Sequence, residues 1–320
     1  MRQCTKRWLL TAAALVAVGL LLFTAVMTAF RWDFSGLNTV EYRTASYEIR
    51  EDFSSIEISG NTADIVFAVS VDGMCSIECY VPENFTHFAE VRNGTLFVQA
   101  SAGDWKQNIG IGFRSPEITV YLPKTEYVSL AISESTGDIE IPEEFRFDEV
   151  DISLSTGNVR FCASSSGTVS VTATTGEIRI EHGTVDALVL CTTTGEITVS
   201  DVTCQGDLTA NVTTGKLTVT DTTCKNLSAD GTTGDVSLKR LLAAEKIKIE
   251  RSTGDVRFDG ADAADLFVKT STGDVTGTLR SDKVFYAESS TGSISVPKTL
   301  ADGICDIKTS TGDIRIEIAK

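Results

Sequence analysis

The stretch that decides the fold is "SLSTGNVRF", residues 153–161. Apolar and polar residues alternate on both sides of Gly157, and a period of two is typical of strands with one buried face. Gly157 stands where the chain must turn, and glycine takes a positive φ without steric cost. The stretch therefore predicts a strand, a tight corner and a second strand.

The same phrase returns every 19 or 20 residues down to the C-terminus. A threonine precedes each glycine, a serine or threonine precedes that threonine, and an aliphatic residue follows two positions after the glycine. The predicted corner glycines are Gly137, Gly157, Gly176, Gly195, Gly215, Gly234, Gly254, Gly273, Gly292 and Gly312. Two strands cannot bury an apolar face alone, but stacked copies can.

We therefore expect an all-β fold: a single-stranded parallel β-helix, or β-solenoid, with about 19–20 residues per coil, preceded by one transmembrane helix. Residues 130–320 would form ten regular coils of the STGD type. Residues 53–129 keep strand patterning without the phrase and predict an irregular N-terminal β region of the same solenoid. Antiparallel hairpins in a sandwich or propeller are the alternative, although a propeller blade usually needs about 40 residues.

The N-terminus carries an apolar run. From Trp8 to Phe30 there are 23 residues without a charge, which is long enough to cross a bilayer. Three basic residues precede the run, so the N-terminus is expected in the cytoplasm and the body outside, on a single-pass cell-membrane protein. The predicted segments are a cytoplasmic tail over 1–7, a transmembrane helix over 8–30 and a juxtamembrane tether over 31–52. A secretory signal cleaved near Ala29 is the alternative.

Composition limits the partners. The chain has 28 basic and 44 acidic residues, for a formal net charge of −16. An acidic surface repels nucleic acid, so we expect no nucleic-acid partner. The chain ends on the strand-like "GDIRIEIAK", and an uncapped solenoid end exposes unpaired backbone groups. This ending predicts self-association through the uncapped C-terminal coil, or docking of an unknown protein or glycan.

Several phrases resemble a known family. "DFSGL", "FSSIEISGNTADIVF", "NGTLFV", "ITVYLP" and the run of STGD phrases are similar to the bacterial adhesin-like, β-strand-repeat family of unknown function that is widespread in Gram-positive bacteria. The resemblance covers about residues 31–320. It implies a β-helical extracytoplasmic domain behind one membrane helix, and it brings no catalytic residues with it.

Two sets of residues are candidate sites within the repeat. Asp235, Asp255 and Asp274 follow the glycine in consecutive coils, and stacking would line up their carboxylates about 5 Å apart. Such a row could hold Ca²⁺, or its side chains could accept backbone hydrogen bonds in the turn. Cys204 and Cys224 each stand nine residues after a repeat glycine, so they could form a disulfide or remain stacked thiols.

Outside the repeat, the glycine-rich segment 101–115 contains Trp105 and Phe113, which predict either a ligand-binding loop or rings tucked beneath it. The two histidines, His87 and His182, are far apart in sequence and are expected at the surface. No Ser-His-Asp order, phosphate loop or HExxH motif is present.

Three functions stay open at this level. The first is a membrane-anchored, non-catalytic surface or envelope interaction protein that needs no cofactor. The second is an envelope-stress or regulatory sensor module that works with a membrane partner. The third is a carbohydrate-active enzyme built on a β-helix, which needs a pair of carboxyl groups on one face.

Overall fold

The computed structural model describes residues 3–29, 31–32, 42–83, 86–101, 115–299 and 303–319. In these ranges one helix, α1 (Gln3–Ala29), precedes two β-sheets. The 14 strands of sheet A are β1 (Tyr42–Ile49), β3 (Asp64–Val69), β4 (Cys75–Pro82), β7 (Glu117–Leu122), β9 (Ile139–Ile141), β11 (Val159–Phe161), β14 (Ile178–Glu181), β17 (Ile197–Ser200), β20 (Leu217–Thr220), β22 (Val236–Lys239), β24 (Val256–Ala261), β26 (Val275–Leu279), β28 (Ile294–Ser295) and β30 (Ile314–Ile318). The 16 strands of sheet B are β2 (Ser55–Ser59), β5 (Thr86–Arg92), β6 (Thr95–Ser101), β8 (Glu126–Thr136), β10 (Arg146–Thr156), β12 (Ser164–Ser165), β13 (Thr168–Thr175), β15 (Thr184–Val185), β16 (Ala187–Thr194), β18 (Thr203–Cys204), β19 (Asp207–Thr214), β21 (Thr223–Thr233), β23 (Leu242–Thr253), β25 (Asp265–Thr272), β27 (Val284–Thr291) and β29 (Ile304–Thr311).

Each repeat forms one coil, which we define as a long sheet-B strand, a corner and the next sheet-A strand. Successive coils pair in parallel and in register: Thr175 lies beside Thr194, and Thr194 lies beside Thr214. The predicted parallel β-solenoid is confirmed. The antiparallel alternative is wrong for the repeat, because the repeat strands pair in parallel in both sheets.

The core lies between the two sheets. Inward side chains of equivalent positions stack from coil to coil, as Leu188, Leu208 and Leu227 do at no more than 1% exposure. The alternate positions face out, which is why the period of two appears in the sequence. Burying one such side chain stabilises the fold by about 1.5–3 kcal/mol relative to leaving it exposed.

The corner between the sheets admits only glycine, for two reasons. The ten corner glycines have φ between +125° and +153°, a region that is costly for residues with a Cβ. Neighbouring corners also touch: a Cβ on Gly215 would lie 1.6 Å from the carbonyl oxygen of Gly195. The Gly215 amide donates in turn to the Thr233 carbonyl of the next coil at 2.8 Å.

The N-terminal end does not stack in chain order. The first coil, β2 and β3, lies between β6/β7 on one side and β8/β9 on the other. Antiparallel strands then cover the end: β5 pairs with β6, β4 with β7, and β1 with β4. Residues 31–52, expected as a tether, therefore include a sheet strand over Tyr42–Ile49.

The C-terminal end has the same kind of insertion. The last coil in the chain, β29 and β30, lies between the coil of β25/β26 and the coil of β27/β28. The expectation that the final residues form a bare end is therefore wrong. The outermost coil is the one before it in sequence, residues 284–295.

Helix α1 contains the apolar run. Within the described residues, Trp8–Ala29 is the one helical segment long and apolar enough to span a membrane. An N-terminal signal sequence has the same features. The segment therefore fits a membrane-associated or extracytoplasmic protein.

Candidate interaction surface

A line of carboxylates follows the corner glycines in the C-terminal coils. Asp235 Oδ1 accepts a hydrogen bond from the Asp255 amide at 2.9 Å, and Asp255 Oδ1 accepts one from the Asp274 amide at 2.8 Å. The line continues through the inserted coil: the Asp313 amide donates to Asp274 at 2.7 Å, and the Ser293 amide donates to Asp313 at 2.8 Å. Each carboxylate therefore satisfies a backbone donor of the adjacent coil.

This geometry bears on the predicted calcium ligands Asp235, Asp255 and Asp274. One oxygen of each is already engaged by an amide, which is the turn chemistry weighed as the alternative. In the described part of the chain, no three His, Cys, Asp or Glu side chains are grouped so that they could hold a metal ion. We therefore expect these carboxylates to act in the corner, and a calcium titration tests the alternative of a metal site.

Cys204 and Cys224 occupy equivalent positions of neighbouring coils, because Thr203 and Thr223 just before them are register partners. Both are buried free thiols. Burial raises the pKa of Cys204 to about 11 and the pKa of Cys224 to about 12, so both stay protonated at neutral pH. Their disulfide also stays a prediction.

The other predicted positions fall in different places. Trp105 and Phe113 lie outside the described residues. His182 is exposed, as expected. The surface expectation for His87 is wrong: it is 6% exposed, and its backbone carbonyl accepts a hydrogen bond from the Tyr47 hydroxyl at 2.8 Å. Burial lowers the pKa of His87, which favours the neutral imidazole.

A groove of about 430 Å³ crosses the outer face of sheet B near its C-terminal end. Its polar and aromatic lining consists of Lys246, Lys248, Glu250, Phe267, Lys269, Asp306 and Lys308. Acids neutralise part of the lysine charge: Lys248 Nζ lies 3.1 Å from Glu250, and Lys308 Nζ lies 3.7 Å from Asp306. The groove is therefore a surface of mixed charge with an excess of two lysines.

An exposed coil of mostly uncharged residues lies at one end of the solenoid: the outermost coil, residues 284–295, which we call the open end. In the described part of the chain, no strand pairs with the outer edge of β27 or β28. Ile294 is 46% exposed, whereas its register partner Ile314, one coil inward, is fully buried. Tyr286 is 58% exposed on the outer face, and Phe285 is only partly buried against the core. The apolar column of the core thus ends at an uncovered surface.

The open end is also depleted in charge. Glu288 is the one charged residue among 284–295, whereas 304–318, the adjacent coil, contains five. At the corner position, Ser293 replaces the aspartate found at Asp274 and Asp313. Among the described residues, no further coil lies beyond Ser293 whose backbone amide could donate a hydrogen bond to a carboxylate there.

A buried ion pair fixes the start of the open end. Lys283 is 2% exposed, and its Nζ lies 2.8 Å from Asp262 Oδ1 and 3.0 Å from the Ser281 hydroxyl. The Thr299 hydroxyl donates to the Lys283 carbonyl at 2.6 Å and so ties the returning chain to the same point. The open end is therefore a well-held coil of the solenoid.

The opposite end, which we call the closed end, is covered by β1, β4 and β5. Ile77 and Val81 of β4 are at most 1% exposed, so the antiparallel cover completes the core. The Tyr47–His87 hydrogen bond joins β1 of sheet A to β5 of sheet B. β1 and β5 are the outermost strands of the two sheets, and this hydrogen bond joins them over the apolar centre.

A family model matches residues 53–241 and 205–320, which together include the open end and all the repeats but not strand β1. This chain belongs to the Toastrack DUF4097 family. The family description assigns no activity to its members, in agreement with the resemblance noted in the sequence to a β-strand-repeat family of unknown function. No curated protein is similar enough to count as a relative.

Solved structures similar to this Toastrack chain are distant in sequence. A candidate adhesin from Bacteroides fragilis has 16% identity and a TM-score of 0.45, covering 87% of this chain and 97% of its own. A candidate adhesin from Parabacteroides distasonis has 11% identity and a TM-score of 0.45, covering 87% and 98%. A candidate lipid-binding protein from the same species has 14% identity and a TM-score of 0.31, covering 85% and 98%. Sequence identity and structural similarity this low give no information about the ligands of this chain.

Two buried charges in the Toastrack repeat could not be found from the sequence pattern. Glu134 and Arg251 both stand three residues before a corner glycine, and both are 4% exposed. Each fills space left by a glycine of an adjacent coil: a Cβ on Gly60 would lie 2.2 Å from Glu134 Oε2, and one on Gly231 would lie 1.8 Å from Arg251 Nη1. The sequence feature that accompanies each buried charge is the glycine opposite it, Gly60 or Gly231, and neither glycine belongs to the repeated Thr-Gly phrase.

Proposed function

We propose that this protein is a membrane-anchored, extracytoplasmic β-solenoid that acts as a non-catalytic interaction protein of the cell envelope, as an adhesin does. The observation that carries the proposal is the open end. In the part of the chain that the structure describes, it combines exposed apolar side chains, a sheet edge without a partner strand and a single charge. Exposed apolar surface of this kind marks interaction sites.

The path of the chain supports an anchor at the other end. The segment after α1 enters sheet A through β1, which is the outermost strand of the closed end. The strands then stack away from β1 until β28. The attachment point and the open end therefore lie at opposite ends of sheet A, so an anchored solenoid would leave its open end available to a partner.

The row of corner acids supports a non-catalytic role. Glycosidase chemistry needs one carboxyl group that can give up a proton and a second that is free to act as nucleophile or base. The carboxylates of this row instead accept hydrogen bonds from backbone amides of adjacent coils. The row consists of Asp235, Asp255, Asp274 and Asp313. This use supports a structural role for these acids at the corner.

Labelling of the full-length protein in intact cells tests the anchor and the topology. Ser153 is exposed on β10, so Ser153→Cys should react with a membrane-impermeant maleimide. The native Cys4 should react only after permeabilisation. Unmodified protein gives the background, since most described thiols are buried. Reversed labelling, or release of the protein into the medium, would contradict the anchored topology.

A further inference from the structure

We infer that the open end is a homodimer interface, in which a second copy of this chain pairs antiparallel with β27 and β28. This inference rests on the proposed interaction function and names its partner. It concerns residues 284–295, and neither the family match nor the structural neighbours assign a role to this coil.

The first step is electrostatic. The chain carries a formal net charge of −16, so the flanks of two copies repel each other. The open end carries only Glu288, and the corner aspartate that would face a partner is replaced by Ser293. Two acidic solenoids can therefore meet end to end with little like-charge contact.

The second step is hydrogen bonding. Among the described residues, no strand pairs with the outer edges of β27 and β28. Natural edge strands are usually protected by charge, proline or a covering element. A two-fold axis perpendicular to both sheets would set each edge antiparallel to its own copy. Such an interface is self-complementary, as closed dimers require.

The third step is the register. Centred on Ala287, the pairing sets Tyr286 of one copy opposite Glu288 of the other, so that the phenol can donate to the carboxylate. It also sets the partly buried Phe285 opposite Ser289, over the end of the core. Centring on Glu288 would instead oppose two carboxylates, which destabilises a strand pair. Of these two registers, the sequence of β27 favours the one centred on Ala287.

Cross-linking of the full-length protein in its membrane tests the interface. In a Cys4→Ser background, Ala287→Cys should form a disulfide-linked dimer on treatment with copper phenanthroline, because opposite residues of an antiparallel pair have Cα atoms about 4.5–5.5 Å apart. The matched control is Ala45→Cys, on outermost strand β1 of the closed end, which should stay monomeric. We expect at least a tenfold difference in dimer yield.

Two mixtures of cysteine variants test the register and the relative orientation of the two copies. Co-expressed Tyr286→Cys and Glu288→Cys chains should cross-link to each other if the register centres on Ala287. A cross-link between Ala287→Cys and Ala45→Cys chains would show head-to-tail stacking and overturn the inference. Absence of any Ala287→Cys dimer would also overturn it, while normal Ser153→Cys labelling would leave the anchored interaction function standing.

Discussion

At the closed end of the solenoid, antiparallel strands cover the outermost parallel coil and join the two sheets through Tyr47 and His87. At the open end, β27 and β28 have no strand beyond them in the part of the chain that the structure describes. Yet both ends insert a coil out of chain order, β2/β3 at one and β29/β30 at the other. The chain therefore stabilises both ends by insertion but covers only one.

The largest expected effect compares a corner inside the solenoid with the corner at the open end. Gly215→Ala should cost at least about 4 kcal/mol, because its Cβ would lie 1.6 Å from the Gly195 oxygen and coils on both sides prevent a shift. Gly292→Ala meets the Gly312 oxygen at 2.0 Å but has a coil on one side only. We expect about half the loss, measured by denaturant unfolding. Equal losses would show that the open end is as constrained as the middle.

The next prediction concerns the ion pair that holds the open end. Lys283→Met leaves Asp262 without its buried partner, and breaking a buried pair costs about 3–5 kcal/mol. Hydrogen exchange should become faster over 284–295 while the closed end keeps its protection. Lys298→Met, at an exposed position nearby, is the matched control and should change little. Uniform acceleration along the whole chain would argue against a locally anchored coil.

The closed end has its own buried charge. Burial raises the pKa of Glu134 to about 7. Because the folded-state pKa lies above the unfolded value, this carboxyl contributes stability below about pH 4.5 and loses it as pH rises through 7. Glu134→Gln should therefore raise stability at pH 8, by up to about 3 kcal/mol, and flatten the pH profile.

Thermal unfolding at several pH values checks this expectation. The gain should be largest at pH 8 and absent at pH 4, where wild-type Glu134 is already protonated in the native state. Glu140→Gln, on an exposed carboxylate of the same coil, is the control. A wild-type stability that rises between pH 4.5 and 7 in proportion to Glu134 ionisation would contradict the assignment.

Much of the fold follows from the sequence because the corner has one solution. Only glycine fits both the positive φ and the close contact with the next corner at Gly157 and its equivalents. A glycine therefore recurs at this position in every copy, and the repeat can be recognised in the sequence. The order of the coils could not be predicted for the same reason. Every coil carries the same phrase, so the coil of Gly312 fits beside Gly273 as well as the coil of Gly292 would.

The candidate surface was harder to predict than the fold. The uncapped end was expected at the last strand of the chain, but non-local pairing places β30 inside sheet A and β28 at its edge. His87 became buried because an antiparallel strand, absent from the repeat pattern, closes the other end. The sequence shows that residues 284–295 carry little charge. That feature indicates an interaction surface only when the structure places this coil at the end of the solenoid.

The smallest expected effect concerns the corner acids, which continue from Asp235 to the open end. Since each carboxylate already accepts an amide of the adjacent coil, calcium and a chelator should give melting temperatures within about 1 °C of each other. Circular dichroism on the same samples checks this. A calcium-dependent rise of several degrees would show that the acid row binds metal. The row would then be a second candidate interaction site beside the open end.

The most direct test of the coil order is a pair of double-cysteine variants. Lys269→Cys with Lys308→Cys places thiols on register partners of β25 and β29, so an intramolecular disulfide should form. Lys269→Cys with Glu288→Cys would cross-link only if the coils stacked in chain order, because β29 separates these residues in the structure. We expect the first disulfide to form and the second not to form. The second without the first would place residues 304–318 outermost and contradict it.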